Sequence, residues 1–152
     1  MKKRLIIGLV CGAAALLTVI LGVYLGMGFL NNNNLTCSSN NKANGVNITQ
    51  NYLIKFENNI INNITIDKKY IYEDQNRFDK FSSIAAKGND ANMAALQNDY
   101  VKFSSSTKNK TYTTSLKVDA KNASKESLAK LGIDKNLNVI RENLIEQGLS
   151  CN

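Results

Sequence analysis

The residues that could carry chemistry in this chain of 152 residues are serine, lysine, cysteine and the carboxylates, because the sequence contains no histidine. That composition excludes Ser-His-Asp and Cys-His nucleophilic sites, together with zinc or copper sites that use histidine. EF-hand calcium loops and glycine-rich phosphate loops are also missing from the polar part of the sequence. We therefore expect no catalytic residue, no cofactor and no metal site.

Two catalytic arrangements remain open on residue type alone. Serines and lysines are numerous enough to form a Ser-Lys dyad, although the sequence singles out no pair. Glu73, Asp74 and Asp79 are close in sequence and could act as acid and base, but Asp74 is also suited to cap a helix. An enzyme of the cell envelope, or the accessory subunit of one, is thus an alternative to a protein that only binds.

The longest apolar segment runs without a charge from Leu5 to Leu30. As a helix it would be roughly 39 Å long, which exceeds the roughly 30 Å of hydrocarbon in a bilayer. The basic residues at positions 2–4 precede it, and the next lysine or arginine is Lys42. The positive-inside rule therefore predicts a single-pass transmembrane anchor, with a cytoplasmic N-terminus and the C-terminal part outside.

Two other interpretations of this segment stay open. A cleaved signal peptide would release a secreted protein, although the apolar core is longer than such signals use. Lipidation at Cys11 is the third, with bulky Val10 where a small residue is required. Pairs of glycines four residues apart also predict helix association and a structural, self-associating role. These glycines are Gly8, Gly12, Gly22 and Gly26.

Cys37 and Cys151 stand near the two ends of the predicted external part. Thiols in an oxidising compartment tend to pair, so we expect a disulfide between them, with two free thiols as the alternative. In the chain-entropy model, closing a loop of about 100 residues stabilises a domain by about 4.7 kcal/mol. The bridge would hold the C-terminus close to the anchor.

The formal net charge is +7, of which the basic residues at positions 2–4 supply three charges. The remaining excess falls late in the chain, where lysines and tyrosines could form a surface for an anionic cell-wall polymer, a lipid head group or an envelope protein. A solvated lysine-rich face explains the same residues. Nucleic acid is not expected, because no recognised binding motif is present. The predicted binding surface consists of Tyr70, Tyr72, Tyr112, Lys102, Lys108, Lys110 and Lys117.

Hydrophobic periodicity predicts the elements that would position these residues. Alternation predicts a hairpin of 46–57 with 60–71 and a second hairpin between Tyr100 and Val118. Helices are expected after Asp74, over 90–99, and from Asp134 to Gly148. The predicted organisation is a basic end (1–4), an anchor (5–30), a spacer (31–45) and an external domain (46–152). Its fold class is α+β, with an N-terminal transmembrane helix and an antiparallel sheet of two hairpins that has helices packed on one face.

Three short motifs resemble the YehR-like lipoprotein family, which comprises small exported proteins of low-GC bacteria. They are Leu35-Thr36-Cys37-Ser38, the run from Ile54 to Ile61, and the run from Leu144 to Cys151. The resemblance implies an exported α+β domain of unknown function and supplies no catalytic residues. The chain departs from those lipoproteins because it has no suitable lipidation cysteine. We therefore expect a membrane-anchored extracytoplasmic module that binds an unknown ligand.

Overall fold

The structure, a computed structural model, describes residues 33–152, with residues 86 and 87 described by their backbone only. The predicted helix over residues 5–30, its four glycines and Cys11 lie outside the described residues. Within the described residues, no helix is long and apolar enough to cross a membrane. Residues 34–152 form one compact unit.

Six strands make one antiparallel sheet in the order β4-β5-β3-β2-β1-β6. Four helices accompany the sheet, and α1 and α2 follow β3, whereas α3 and α4 follow β5. The strands are β1 (Asn34–Ala43), β2 (Val46–Glu57), β3 (Ile60–Tyr72), β4 (Val101–Lys108), β5 (Thr111–Asp119) and β6 (Ser150–Cys151). The helices are α1 (Gln75–Lys87), α2 (Asn89–Ala95), α3 (Lys125–Lys130) and α4 (Leu137–Glu146).

The predicted fold class is wrong, because the sheet contains six strands and is more than two hairpins. β1 occupies most of the segment that was expected to be a spacer and pairs with β2 from Asn34↔Lys55 to Ala43↔Val46. Asn44 and Gly45 join the two strands with φ values of 50° and 72°. Asn-Gly is a preferred pair for such a turn, since both positions require positive φ.

The two predicted hairpins are present as β2–β3 and β4–β5. Their turns use residues at positive φ, at Asn58 and Asn59 in the first hairpin and at Asn109 and Lys110 in the second. Asparagine tolerates this region of backbone space better than most residues, because its short side chain bonds locally. Turn chemistry therefore determined both hairpins locally.

One of the two predicted helix caps is present, and the other is displaced. The Asp74 carboxylate accepts a hydrogen bond from the Arg77 N–H at 3.0 Å and begins α1. The prediction that Asp134 caps the last helix is wrong, since Asn136 caps it. Asp134 instead accepts from the Asn136 N–H at 2.7 Å, a local turn that delays the helix by two residues.

One face of the sheet carries the helices and two separate buried clusters. Alternate residues of a strand lie on opposite faces, so Ile64 and Tyr72 of β3 share the helix-covered face. The larger cluster packs Ile54, Ile64 and Val118 against Leu128 of α3 and against α4. The smaller cluster packs Tyr72 and Tyr112 against Phe78 and Ala85 of α1. All helices whose buried residues reach the sheet therefore cover the same face.

The predicted disulfide between Cys37 and Cys151 is confirmed, with an S–S distance of 2.01 Å. The two cysteines are register partners in the β1–β6 pair. Thr36 and Asn152 exchange two further backbone hydrogen bonds, of 3.1 Å and 2.8 Å. Cys37 is fully buried in the larger cluster. The bridge thus fixes the chain that follows α4 to the first strand, β1.

Replacing both cysteines, as C37A/C151A, should lower the free energy of unfolding by about 4–5 kcal/mol, because the open chain gains loop entropy when it unfolds. Chemical denaturation of the full chain measures this loss. A reducing agent should destabilise the natural protein and leave the double variant unchanged. Equal denaturation midpoints for the two proteins under oxidising conditions would contradict a stabilising role for the bridge.

Candidate ligand cleft

A row of polar residues crosses the helix-covered face and separates the two buried clusters. The row holds one residue from each of five adjacent strands, joined by the strand register. Apolar residues would be expected at such positions, because helices cover the rest of this face. The polar row consists of Ser39, Gln50, Lys68, Thr114 and Ser105.

Along this row lies a cleft of about 360 Å³, here called the tyrosine cleft. Its floor includes Tyr52, Tyr70 and Phe103 from three strands, while Met93 of α2 and Leu131, which follows α3, also line it. Two rows of residues flank the polar row. Phe103 and Tyr52 belong to the row nearer the larger cluster, and Tyr70 belongs to the row nearer the smaller cluster. The cleft therefore lies between the two helical groups.

A second hollow of about 240 Å³ adjoins the tyrosine cleft and shares Tyr52, Ile66 and Leu131 with it. Branched aliphatic residues, including Ile133 and Ile140, line this second hollow. Together the two spaces form a path from the polar row into the edge of the larger cluster. We call the second space the aliphatic hollow.

Lys68 is the one charged member of the polar row, and its side chain lines the tyrosine cleft. It is half-buried, whereas its neighbours Asp67 and Lys69 on the other face are exposed. In the described part of the chain, the ion pairs are Lys42–Glu73 at 2.6 Å and Lys130–Glu126 at 2.8 Å. Lys68 belongs to neither pair. Its partly desolvated ammonium group therefore lies in the cleft without a carboxylate partner among the described residues.

Aromatic rings form a continuous group at one side of the cleft. Tyr70 lies 5.8 Å from Tyr112 and 6.0 Å from Phe81, measured between ring centroids. Burial raises the pKa of Tyr112 to about 12, and the hydrogen bond to Asp90 adds to the rise. Burial also raises the pKa of Tyr52 and of Tyr70. These tyrosines are therefore neutral at physiological pH and act as apolar surfaces with a hydroxyl group.

Asp90 of α2 connects that helix to the sheet. Its carboxylate accepts hydrogen bonds from the Ser105 hydroxyl at 2.6 Å and from the Tyr112 hydroxyl. Charge-assisted bonds of this kind are stronger than neutral ones. α2 is short and buries no residue of its own, so Asp90 is the main polar contact that positions this wall of the cleft.

The structure brings together two residues of the predicted binding surface, since Tyr70 and Tyr112 both line the cleft. Tyr72 is only 6 % exposed and packs against Phe78 and Phe81 in the smaller cluster. The predicted lysines lie elsewhere and do not join the tyrosines. Lys110 donates to the carbonyl oxygen of Glu73 at 3.0 Å, which holds the β4–β5 turn near α1.

Lys102 and Lys117 face each other directly in the β4–β5 pair. They line a hollow of about 340 Å³ together with Lys55, Asp99 and Asp119. Like charges directly opposite in a sheet are destabilising. The open face therefore carries three lysines beside two aspartates at this hollow, with Lys108 at the far end of the strand that holds Lys102.

The three candidate carboxylates have structural partners. A hydrogen bond from Lys42 is the main reason why the pKa of Glu73 is lowered, and a backbone hydrogen bond from Arg77 lowers that of Asp74. Asp79 accepts a hydrogen bond from the Gln75 amide at 2.8 Å. Among residues 33–152, no group of three or more His, Cys, Asp or Glu residues is arranged to hold a metal ion.

Sequence reasoning missed Tyr52 and Lys68 as cleft residues. The signal for Lys68 was present, because it occupies an apolar-face position of β3 between Ile66 and Tyr70. A charged residue at such an inward position indicates either that no helix covers it or that a group of opposite charge lies beside it. Tyr52 gave no comparable signal, since an aromatic residue at an inward position is ordinarily part of the core.

D90N should lower the pKa of Tyr112 towards its ordinary value, because the carboxylate that stabilises the neutral phenol is lost. The pKa should stay above that of an exposed tyrosine, since burial is the larger cause of the shift. NMR titration of ring-labelled tyrosine measures the change. D67N, on the open face, is the matched control and should leave Tyr112 unaffected. An unchanged titration in D90N would contradict the assigned contact.

No protein-family model and no curated protein matches this chain. A solved structure similar to it is the NMR structure of a protein from Streptococcus pneumoniae TIGR4, with a TM-score of 0.45 and 10 % sequence identity. The alignment covers 78 % of this chain and 84 % of that one. A likeness at this level supports no inference about function.

Proposed function

We propose that residues 34–152 form an extracytoplasmic binding module that takes a small ligand in the tyrosine cleft. The observation that carries the proposal is the polar row, which interrupts a largely apolar face and places half-buried Lys68 among aromatic rings. An arrangement made only for stability would fill this position with an apolar side chain. A convergent polar group in an aromatic cleft is typical of ligand sites.

The location outside the cytoplasm is supported by the disulfide, since such bridges persist in oxidising compartments. It is also supported by the apolar run of residues 5–30 and its basic flank, which would direct export whether the segment is retained or cleaved. The motifs that resemble YehR-like lipoproteins agree with this location.

The size and lining of the cleft support a small molecule as the ligand. Its volume of about 360 Å³ is within the range of known ligand pockets, about 300–1,000 Å³. Aromatic side chains provide large contact areas at a low entropic cost. The hydroxyl groups of Tyr52 and Tyr70 add directional hydrogen bonds at the rim or floor.

The open face supports a second candidate, which is contact with an anionic cell-wall polymer or envelope surface. The directly opposed Lys102 and Lys117, with Lys55 nearby, favour an anionic partner because such a partner would relieve their repulsion. Asp99 and Asp119 in the same hollow reduce the net positive charge. The tyrosine cleft is therefore the stronger candidate.

Alkaline phosphatase fused after Asn152 should be active in bacterial cells, because that enzyme needs an oxidising compartment to form its disulfides. Colonies on a chromogenic phosphatase substrate provide the readout. Deletion of residues 5–30 from the same fusion is the control and should abolish the activity. An inactive fusion to the full chain, produced at the same level, would refute the external location.

T114W should block ligand binding, because Thr114 is the register partner of Lys68 in the polar row and lines the cleft, so that an indole would fill it. The full chain in phosphatidylcholine nanodiscs can be titrated calorimetrically with 2-naphthol, a neutral aromatic probe, after subtraction of empty discs. We expect binding to the natural protein and a loss of at least about tenfold in affinity in T114W.

T113W is the matched control for T114W, since Thr113 is the neighbouring residue on the open face of the same strand. It should bind the probe as the natural protein does. If 2-naphthol does not bind the natural protein, or if the two variants lose equal affinity, the cleft is not a ligand site.

A further inference from the structure

We infer that the ligand of the tyrosine cleft is a single-chain amphiphile with a carboxylate head group, which would bind at Lys68 while its chain enters the aliphatic hollow. This inference rests on the proposed function of the cleft as a ligand site. It adds the chemical class of the ligand, its orientation and the residue that selects its charge.

The charge of the ligand follows from the electrostatics of Lys68. A half-buried ammonium group loses part of its hydration and gains from a negative partner. In the described part of the chain its Nζ has neither a carboxylate within 4.0 Å nor a hydrogen-bond acceptor from a side chain or the backbone. No Asp or Glu is among the described residues that line the cleft. An anionic group on the ligand would complete the site.

The second cation at the cleft makes a weaker contribution. Lys130 also lines the cleft, but its ammonium already pairs with Glu126 and is largely exposed. Exposed pairs of this kind contribute little and exchange easily with solvent. Lys68 is therefore the residue expected to determine the sign of the charge that the cleft accepts.

The head group is assigned as a carboxylate because the site offers few donors. Phosphate sites in proteins usually combine several donors, such as arginine forks or successive backbone N–H groups at a helix end. No arginine is among the described residues that line the cleft, and the Tyr112 hydroxyl already donates to Asp90. Lys68 is therefore accompanied by a few neutral donors such as the Tyr52 and Tyr70 hydroxyls. The nearby Asp90 accepts hydrogen bonds from the hydroxyl groups of Ser105 and Tyr112, and in the described residues it forms no ion pair with Lys68.

The shape of the ligand's apolar part follows from the aliphatic hollow. The aliphatic hollow continues from Tyr52 and Ile66 towards Ile133 and Ile140, so the available apolar path is extended. Its branched aliphatic residues, with no aromatic ring beyond Tyr52, suit a flexible alkyl chain better than a second flat ring system, and Asn143 and Gln147 add polar groups to the walls. Each methylene group that is fully buried in this path should raise the affinity about fourfold.

The test compares three single-chain probes of eight carbon atoms, namely octanoate, octan-1-ol and octyl phosphate. Each is titrated at neutral pH into the full chain in phosphatidylcholine nanodiscs, with empty discs subtracted. We expect octanoate to bind at least about tenfold more tightly than octan-1-ol, the difference that one charge-assisted hydrogen bond explains. Octyl phosphate should bind no more tightly than octanoate.

K68M should abolish the preference for octanoate and leave the affinity for octan-1-ol unchanged, because methionine conserves the volume and removes the charge. Retained binding of octan-1-ol shows that the variant is folded with an intact cleft. K69M is the matched control, since Lys69 is the next residue on the opposite, open face. It should keep the preference for octanoate.

Four results would overturn the inference. Equal affinity for octanoate and octan-1-ol, or a preference that survives in K68M, would show that Lys68 does not select an anion. Octyl phosphate binding more than about tenfold tighter than octanoate would assign a phosphate head group instead. Absence of binding by all three probes would exclude a single-chain amphiphile, while the 2-naphthol titration decides separately whether the cleft binds ligands at all.

Discussion

Antiparallel pairing of β1 with both β2 and β6 is the constraint on which the arrangement of residues 34–152 depends. β1 brings the first described residues alongside the last ones, and the Cys37–Cys151 bridge makes that closure covalent. α4 immediately precedes β6, so its packing through Ile140 and Leu144 is held at both ends. Loss of the bridge would therefore weaken a tertiary contact and enlarge the unfolded ensemble at the same time.

Backbone hydrogen bonds join the six strands into one sheet, yet only part of its helix-covered face is apolar. The polar row divides that face, and the two helical groups cover the clusters on either side of it. A helix laid over the row would bury Lys68 and Gln50 without partners, at a cost that exceeds the gain from the remaining contacts. The cleft is thus a direct consequence of polar residues at inward positions of adjacent strands.

Several parts of this fold could be predicted from local sequence because their causes are local. Asn58 and Asn59 determine a tight turn, and Asp74 begins a helix through its own side chain. β1 was missed although Asn44-Gly45 gives the same kind of local signal, because its polar, asparagine-rich strand lacks hydrophobic alternation beyond Leu35 and Cys37. β6 could not be predicted, since two residues form a strand only when a partner strand is already in place.

The sequence by itself determined the absence of histidine chemistry, the hairpin turns and the helix cap at Asp74, and it made Cys37 and Cys151 the expected disulfide pair. Each of these follows from residue identity or from contacts a few positions apart. Only the tertiary structure decided that Lys68, Tyr52 and Tyr70 line one cleft, and that the predicted lysines lie on the other face or at the turn. The register between adjacent strands brings together residues that are far apart in sequence. That register depends on which strands pair and on the position of the turn that joins each pair.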